Sequence, residues 1–382
     1  MWQPLQGVRV ADFSPLLPGP FATLALADLG ADVVKIEPPG GDGGRHLPSA
    51  LFRMANRNKR SLVLDLKQPG AAEVVRRLAL WADVAMEAFR PGVAERIGIG
   101  PAALRAVNPR LIYCSLSGYG HTGPDRMRPG HDLNYLSAAG VMTLAGHWNE
   151  APRRSAVPVA DLAGGSFAAV AILAALHERA STGRGRTLDL SLAEAAMAFG
   201  AIRHGLELDG PAQDHLWPTN DLFETADGVI ALGIVEEQFW TNFVRAAADL
   251  APDLARPDWA TEPRRRADGD RVKARLQQVM RLRGTADWMD RFAAADVPAQ
   301  VRLTPYAASR APQIVAREMV QTMDKERHIP FPVVVDGARG AALRHVAPQA
   351  GADRAAVLGE LGFAPGEIAA LQDAGVLGGS KA

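Results

Sequence analysis

The chain has a single cysteine, Cys114, so no intrachain disulfide can form and there is no thiol framework for redox work or structural zinc. Net charge is also missing: 42 Lys and Arg balance 42 Asp and Glu, which leaves no overall field to attract nucleic acid or an anionic membrane. A local Arg cluster can still hold an anion. The longest purely apolar run, 167–176, is about half of what a membrane-spanning helix requires. The start, Met1-Trp2-Gln3-Pro4, lacks the basic segment and apolar core of an export signal, and no repeat or low-complexity tract interrupts the chain. These absences point to a cytoplasmic protein with no metal centre and with neither nucleic acid nor membrane as partner.

What is present is an ordinary globular balance of 48% hydrophobic and 22% charged residues. At 382 residues the chain exceeds the size at which one core usually stops growing, so two domains are expected. Strand-like runs at 8–13, 32–37, 61–66, 83–88, 111–117 and 187–192 alternate with helix-like stretches at 20–30, 70–81, 101–108, 131–144, 162–180 and 193–206. This rhythm predicts an α/β fold with a Rossmann-like large domain, a parallel sheet covered by helices, over 1–207. A linker at 208–220 leads to a smaller α+β domain at 221–305, which Asp227-Gly228 opens as a hairpin. Residues 306–382 form a return segment whose helix from Pro365 is expected to pack on the large domain.

A formal G-x-G-x-x-G occurs at Gly118-Tyr119-Gly120-His121-Thr122-Gly123. A dinucleotide site needs a helix to start in that turn, and Pro124 and Pro129 argue against one. Glu37 ends a strand where a ribose-binding acid would sit, yet the first turn, Ser14-Pro15-Leu16-Leu17-Pro18-Gly19-Pro20, lacks the glycine spacing. The fold is therefore expected without its usual nucleotide. Gly40-Gly41-Asp42-Gly43-Gly44 reads as a mobile surface loop in preference to a phosphate-facing one.

Two acid-base side chains stand out, His131 in Gly130-His131-Asp132-Leu133-Asn134-Tyr135 and Asp161 in Val159-Ala160-Asp161-Leu162. Each precedes a helix-like stretch, so an imidazole and a carboxylate could face one pocket from two helix N-termini. Each also has a plain structural alternative. Asp161 would make a good N-cap, which would hold its pKa low unless burial counteracts it. His131 could be a satisfied structural histidine, with Asp132 capping the same helix.

Several segments resemble one family: Pro18-Gly19-Pro20-Phe21, Ala27-Asp28-Leu29-Gly30-Ala31-Asp32-Val33-Val34-Lys35-Ile36-Glu37, Lys59-Arg60-Ser61-Leu62-Val63-Leu64-Asp65-Leu66-Lys67, Phe89-Arg90-Pro91-Gly92-Val93 and Asn108-Pro109-Arg110-Leu111-Ile112-Tyr113. They are similar to the family III CoA-transferases, also called the L-carnitine dehydratase and bile acid-inducible protein F family, and within it to the α-methylacyl-CoA racemases. The likeness covers 5–206, resumes at 225–239 and weakens beyond.

The resemblance implies an acyl-CoA thioester as substrate, coenzyme A being part of that substrate with no separate cofactor, and an interlocked homodimer. Asp161 stands where the transferases have an acidic nucleophile, whereas the block from Gly130 to Tyr135 looks like the racemase branch, in which the histidine and this aspartate are the two bases. Glu236 matches a small-domain glutamate that approaches the histidine from the partner chain; the alternative is a solvated acid at a helix start. By the same likeness Leu64, Asp65, Lys67 and Arg90 would hold coenzyme A, and Gly130, Asp132, Asn134 and Tyr135 would line the substrate site, with backbone N–H groups near Asp132 for the enolate oxygen. The implied activity is racemisation of a 2-methylacyl-CoA by two-base proton transfer. The alternative is a CoA-transferase working through an aspartyl intermediate at Asp161. Pro38 and the stretch from Asp214 to Pro218 depart from the racemase pattern and bear on a CoA contact and on acyl specificity.

Overall fold

A computed structural model describes residues 2–47, 50–144, 146–204, 216–341 and 343–378. Strands β1 (Arg9–Asp12), β2 (Asp32–Glu37), β3 (Lys59–Val63), β4 (Val84–Glu87), β5 (Ile112–Ser117) and β6 (Thr187–Ser191) form a parallel sheet in the order β3-β2-β1-β4-β5-β6. Val10 of β1 lies opposite Val33 on one side and Val84 on the other. Every residue of β4 and β5 is buried, as expected of inner strands covered on both faces. All six strands overlap the expected runs; β3 is displaced most, covering Lys59–Val63 where 61–66 was expected.

Helices α1 (Pro18–Asp28), α2 (Leu51–Asn56), α3 (Ala71–Trp81), α4 (Val93–Arg96), α5 (Pro101–Val107), α6 (Asp132–Ala138), α7 (Val159–Thr182) and α8 (Leu192–His204) connect these strands or follow them. The helix expected over 131–144 is shorter: it ends at Ala138, because Gly140 takes a left-handed φ of 74° just beyond the C-cap, and only a 3-10 turn, Val141–Thr143, follows. Helix α7 starts earlier than expected, with Pro158 at its N-cap, which puts Asp161 inside the first turn.

By length and composition α7 is apolar enough to cross a membrane, but it serves here as a packing helix. A Cβ at Gly165 would lie 2.7 Å from the Pro18 carbonyl oxygen, and one at Gly164 would lie 2.3 Å from a Leu192 methyl. Only glycine lets α1 and α8 come this close.

The chain divides into two compact units. The first comprises Met1–Val141, Ser155–Gly200 and Pro312–Ala382 and contains the parallel sheet. In its main core Leu62, Leu64, Val74 and Leu78 pack with Val357, Leu358, Phe363 and Val376 from the C-terminal segment. The second comprises Met142–Arg154 and Ala201–Ala311. Its antiparallel sheet, in the order β7 (Asn220–Glu224), β8 (Val229–Gly233) and β9 (Ala299–Val301), packs with α9 (Glu237–Ala246), α10 (Glu262–Ala267), α11 (Gly269–Met280) and α12 (Thr285–Ala295). The Asp227-Gly228 hairpin is present, its turn closed by Thr225 N–H donating to the Gly228 carbonyl at 2.9 Å. Stacked Trp288 and Phe292, ring centroids 5.0 Å apart, sit at the centre of this unit's core. Of the expected linker, residues 208–215 lie outside the described residues, as do Asp214 and His215.

Candidate active site

The chain winds from β1 to β2 and β3 in one direction and from β4 to β5 and β6 in the other, so a crevice opens at the carboxyl ends of the neighbouring strands β1 and β4. A cavity of about 210 Å³ lies there. Residues 15–18 after β1, 88–91 after β4, and Ser117 and Gly118 at the end of β5 supply its rim, together with Arg126, Arg128, Gly130, His131, Tyr135 and Asp161. No helix begins in the Gly118 to Gly123 turn, since the next one starts at Asp132, and the dinucleotide motif is therefore formal only.

The loop after β1 is held from beneath by a buried ionic network. Asp12 accepts hydrogen bonds from the Ser14 amide at 3.0 Å, from the Ser14 hydroxyl, from the Thr23 hydroxyl at 2.6 Å and from Lys59 Nζ at 3.1 Å. Lys59 also donates to the Pro20 carbonyl at 2.9 Å and to Asn56 Oδ1 at 2.9 Å. Lys35 bonds the Ser14 carbonyl at 2.7 Å and pairs with Asp42 at 2.8 Å. Burial by itself would raise the Asp12 pKa, but Lys59, Lys35 and the two hydroxyls together hold it at about 2. Burial lowers Lys59 to about 8, with Asp12 opposing the shift, so both members of the pair are charged at neutral pH.

This network corrects the expectation of a mobile loop at Gly40 to Gly44. Asp42 is buried, accepts from the Gly44 amide at 2.7 Å at the head of a 3-10 turn, Gly43–His46, and receives the Leu16 amide at 3.2 Å. Leu16 itself is pinned at φ 62°, a left-handed conformation that a branched side chain adopts only under constraint. Glu37 is likewise engaged by its own chain: Arg45 bonds both its oxygens at 2.7 Å, and the Ser61 hydroxyl and Asp42 amide bond it at 2.6 and 2.9 Å. No carboxylate is left there for a ribose.

His131 and Asp161 line the same cavity. His131 is the N-cap of α6, exposed, with its amide donating to Asn134 Oδ1 at 3.0 Å. Asp161 is not the cap of its helix. Asp132 does that work from a distance in sequence: its Oδ1 accepts the Ala160 amide at 2.8 Å and the Asp161 amide at 3.4 Å. The Asp161 carboxyl is thereby freed for the cavity. Its pKa is pushed up to about 7, first by burial and then by the nearby Asp132 carboxylate, the reverse of the lowering expected for a capping aspartate. Tyr135, with its hydroxyl donating to the Gly130 carbonyl at 2.5 Å, is pushed up to about 12 by burial and by Asp161. Its ring fits only because residues 118 and 130 are glycines, at which a Cβ would lie 2.5 and 2.7 Å from Tyr135 Cε1.

Of the residues singled out from sequence, Arg90, Gly130, His131, Tyr135 and Asp161 come together at the cavity. Asp132 and Asn134 are absent from its wall and act as helix caps. Leu64, Asp65 and Lys67 sit beyond the end of β3; the Leu64 amide donates to the Glu37 carbonyl and the Asp65 amide to the Val376 carbonyl, both at 2.8 Å, so neither N–H is free for a ligand. Glu236 lies in the second unit, exposed, at the N-cap of α9. Sequence reading passed over Arg126 and Arg128, whose place on the wall was signalled by their position between Pro124 and Pro129, directly before Gly130. Among the described residues no three His, Cys, Asp or Glu side chains are grouped to hold a metal ion.

Residues 5–354 match the model of CoA-transferase family III. The chain belongs to this family. Proteins similar to it include both a racemase and CoA-transferases. The human alpha-methylacyl-CoA racemase is 37% identical over 72% of this chain and 74% of its own. The acetyl-CoA:oxalate CoA-transferase of Acetobacter aceti is 34% identical over 83% of this chain and 85% of its own. A solved CAIB/BAIF family protein from Brucella suis superposes with a TM-score of 0.84 at 30% identity, covering 94% of this chain and all of the other. Family membership accounts for the six-stranded sheet and an enzymatic role, and leaves both chemistries open to a cavity built around Asp161.

Proposed function

We propose that the protein is an acyl-CoA racemase or epimerase that exchanges the α-proton of a 2-methylacyl-CoA thioester. The observation that carries this reading is that the Asp161 carboxyl and His131 stand on the wall of one cavity, where burial and Asp132 push the carboxyl up to about 7. Near neutral pH such a carboxyl is divided between acid and base, which suits a group that must give a proton in one direction and take it in the other. A nucleophile would be better served by a fully ionised carboxylate.

In the proposed step His131 removes the proton from the carbon beside the thioester carbonyl, and the electron pair of that C–H bond passes into an enolate. Asp161, protonated, then delivers its proton to the opposite face of the same carbon. The reverse direction exchanges the two roles. Each positioned acid or base typically contributes about 10² to 10⁴ in rate, so the enolate oxygen also needs donors, for which the amides at the start of α6 are assigned. Arg90 and Lys67 are assigned to coenzyme A, without the main-chain amides of Leu64 and Asp65, which the Glu37 and Val376 carbonyls already occupy. Gly130 and Tyr135, which line the cavity, are assigned to the substrate side. The proposal extends to a cytoplasmic, interlocked homodimer in which Glu236 of a second copy supports the charged form of His131.

The second reading, a CoA-transferase, draws support from relatives such as the Acetobacter aceti enzyme and from the carboxyl at Asp161. Incubation of a chiral 2-methylacyl-CoA in heavy water separates the two. A racemase incorporates deuterium at the α-carbon without an acceptor acid, and His131→Ala abolishes that exchange. A transferase requires a second carboxylic acid, forms a hydroxylamine-sensitive enzyme intermediate and leaves the α-carbon unlabelled.

A further inference from the structure

Asp132 follows His131 in the chain, and its side chain lies at the start of the helix that carries Asp161. It is 5% exposed and makes no part of the cavity wall. Its Oδ1 accepts the amides of Ala160 and Asp161, which ties the first turn of α7 to the first turn of α6. Its Oδ2 is buried, and among the described residues no group donates a hydrogen bond to it. A buried carboxylate oxygen without a donor is costly, so its retention calls for a return elsewhere.

We propose that Asp132 is a positioning residue that couples the two proposed bases: one oxygen fixes the helix turn bearing Asp161 at a set place relative to His131, and the carboxylate so held stands beside Asp161 with its second oxygen lacking any donor among the described residues. The inference rests on the proton-transfer reading of Asp161, but the coupling of the two carboxyls is a property of the resting protein.

The surroundings of Asp161 favour this role. From α6 it feels Asp132 and Tyr135, and the cavity also holds His131 at the start of α6, Arg90 after β4, and Arg126 and Arg128 from the segment before α6. The three arginines are exposed, and among the described residues none forms an ion pair with Asp132 or Asp161. Asp161 is thus raised first by burial and then by Asp132, with no cation among the described residues paired to offset either.

The test uses Asp132→Asn, which keeps an oxygen for the Ala160 amide and removes the charge, beside Asp132→Ala, which removes both. The full-length protein, labelled with carboxyl-¹³C aspartate, is titrated by NMR, with the Asp161 resonance assigned through Asp161→Asn. In Asp132→Asn the Asp161 midpoint is expected to fall by about one pH unit or more. The acidic limb of α-deuterium exchange should move with it at little change in KM, and Asp132→Ala should additionally lower kcat. An Asp161 midpoint that stays within a few tenths of a unit in a folded Asp132→Asn protein overturns the proposal, whatever the activity turns out to be. Absence of α-exchange in the unaltered protein overturns the racemase reading instead, and the NMR midpoint still decides the coupling. Should Asp132→Asn not fold, titration of the unaltered protein decides: one Asp161 transition with no second, coupled step at the Asp132 resonance overturns it.

Discussion

Two buried carboxylate groupings at the carboxyl edge of one sheet have been given opposite fates. Asp12 faces two ammonium groups and two hydroxyls and is held at about 2. Asp161 faces another carboxylate, Asp132, with no ion-pairing cation among the described residues, and is pushed up to about 7. Both carboxyls suffer desolvation, which is the largest influence on each. The difference lies in the partner's sign. Where the charge is paired it serves as scaffold, fixing Leu16 and the loop that rims the cavity. Where it is not paired the group remains ready to exchange a proton near neutrality.

The comparison can be broken most sharply at Lys59. Replacing it by Met strands Asp12 as an uncompensated buried charge and should cost about 3–5 kcal/mol in urea unfolding at pH 7. Replacing Asp12 by Leu as well should recover more than half of that loss, because removing both members of a buried pair is far less costly than removing one. A double variant no more stable than Lys59→Met would show that the pair is not the unit of stability.

A smaller effect is expected at Asp161, and its sign depends on pH. The folded value of about 7 lies above the ordinary 3.8, so the folded protein holds the extra proton between those limits. Stability from this group is complete below about 4 and is lost as pH rises through 7. Asp161→Asn should therefore match the unaltered protein near pH 4 and exceed it by up to about 4 kcal/mol at pH 8, while losing activity. For Asp12 the sign is reversed. Its depressed value contributes stability above about 4 that disappears as pH falls toward 2, so acid unfolding should sharpen in that window. Denaturation midpoints measured from pH 3 to pH 8 report both trends.

The smallest change is Gly118→Ala, whose Cβ would meet the Tyr135 ring at 2.5 Å. A cost of about 1–2 kcal/mol is expected, with a displaced ring and altered substrate KM. An unaltered KM would mean that Tyr135 does not shape the cavity.

The inner strands were legible because strands covered on both faces read as short, mostly apolar runs such as 111–117, whereas the edge strand β6 reads by alternation. The end of α6 at Gly140 was also written locally, in a residue free to take a positive φ, although the apolar residues beyond it masked the signal. His131 and Asp161 were legible as a pair, and the cavity does contain both. Their local roles were less so. Asp161 looks like an N-cap in sequence because Asp favours that position, but the cap is supplied by Asp132, from a different helix. Gly40 to Gly44 looks loose by composition, yet Asp42 within it is anchored by Lys35.

The sequence by itself determined the sheet, the order of its elements and membership of CoA-transferase family III, since these rest on apolar periodicity and on contiguous motifs. Only the tertiary structure decided which carboxylates are neutralised and which are left to repel each other. A pKa depends on what lies within a few ångströms, and the groups that set it here, Lys59 for Asp12 and Asp132 for Asp161, are brought there by folding.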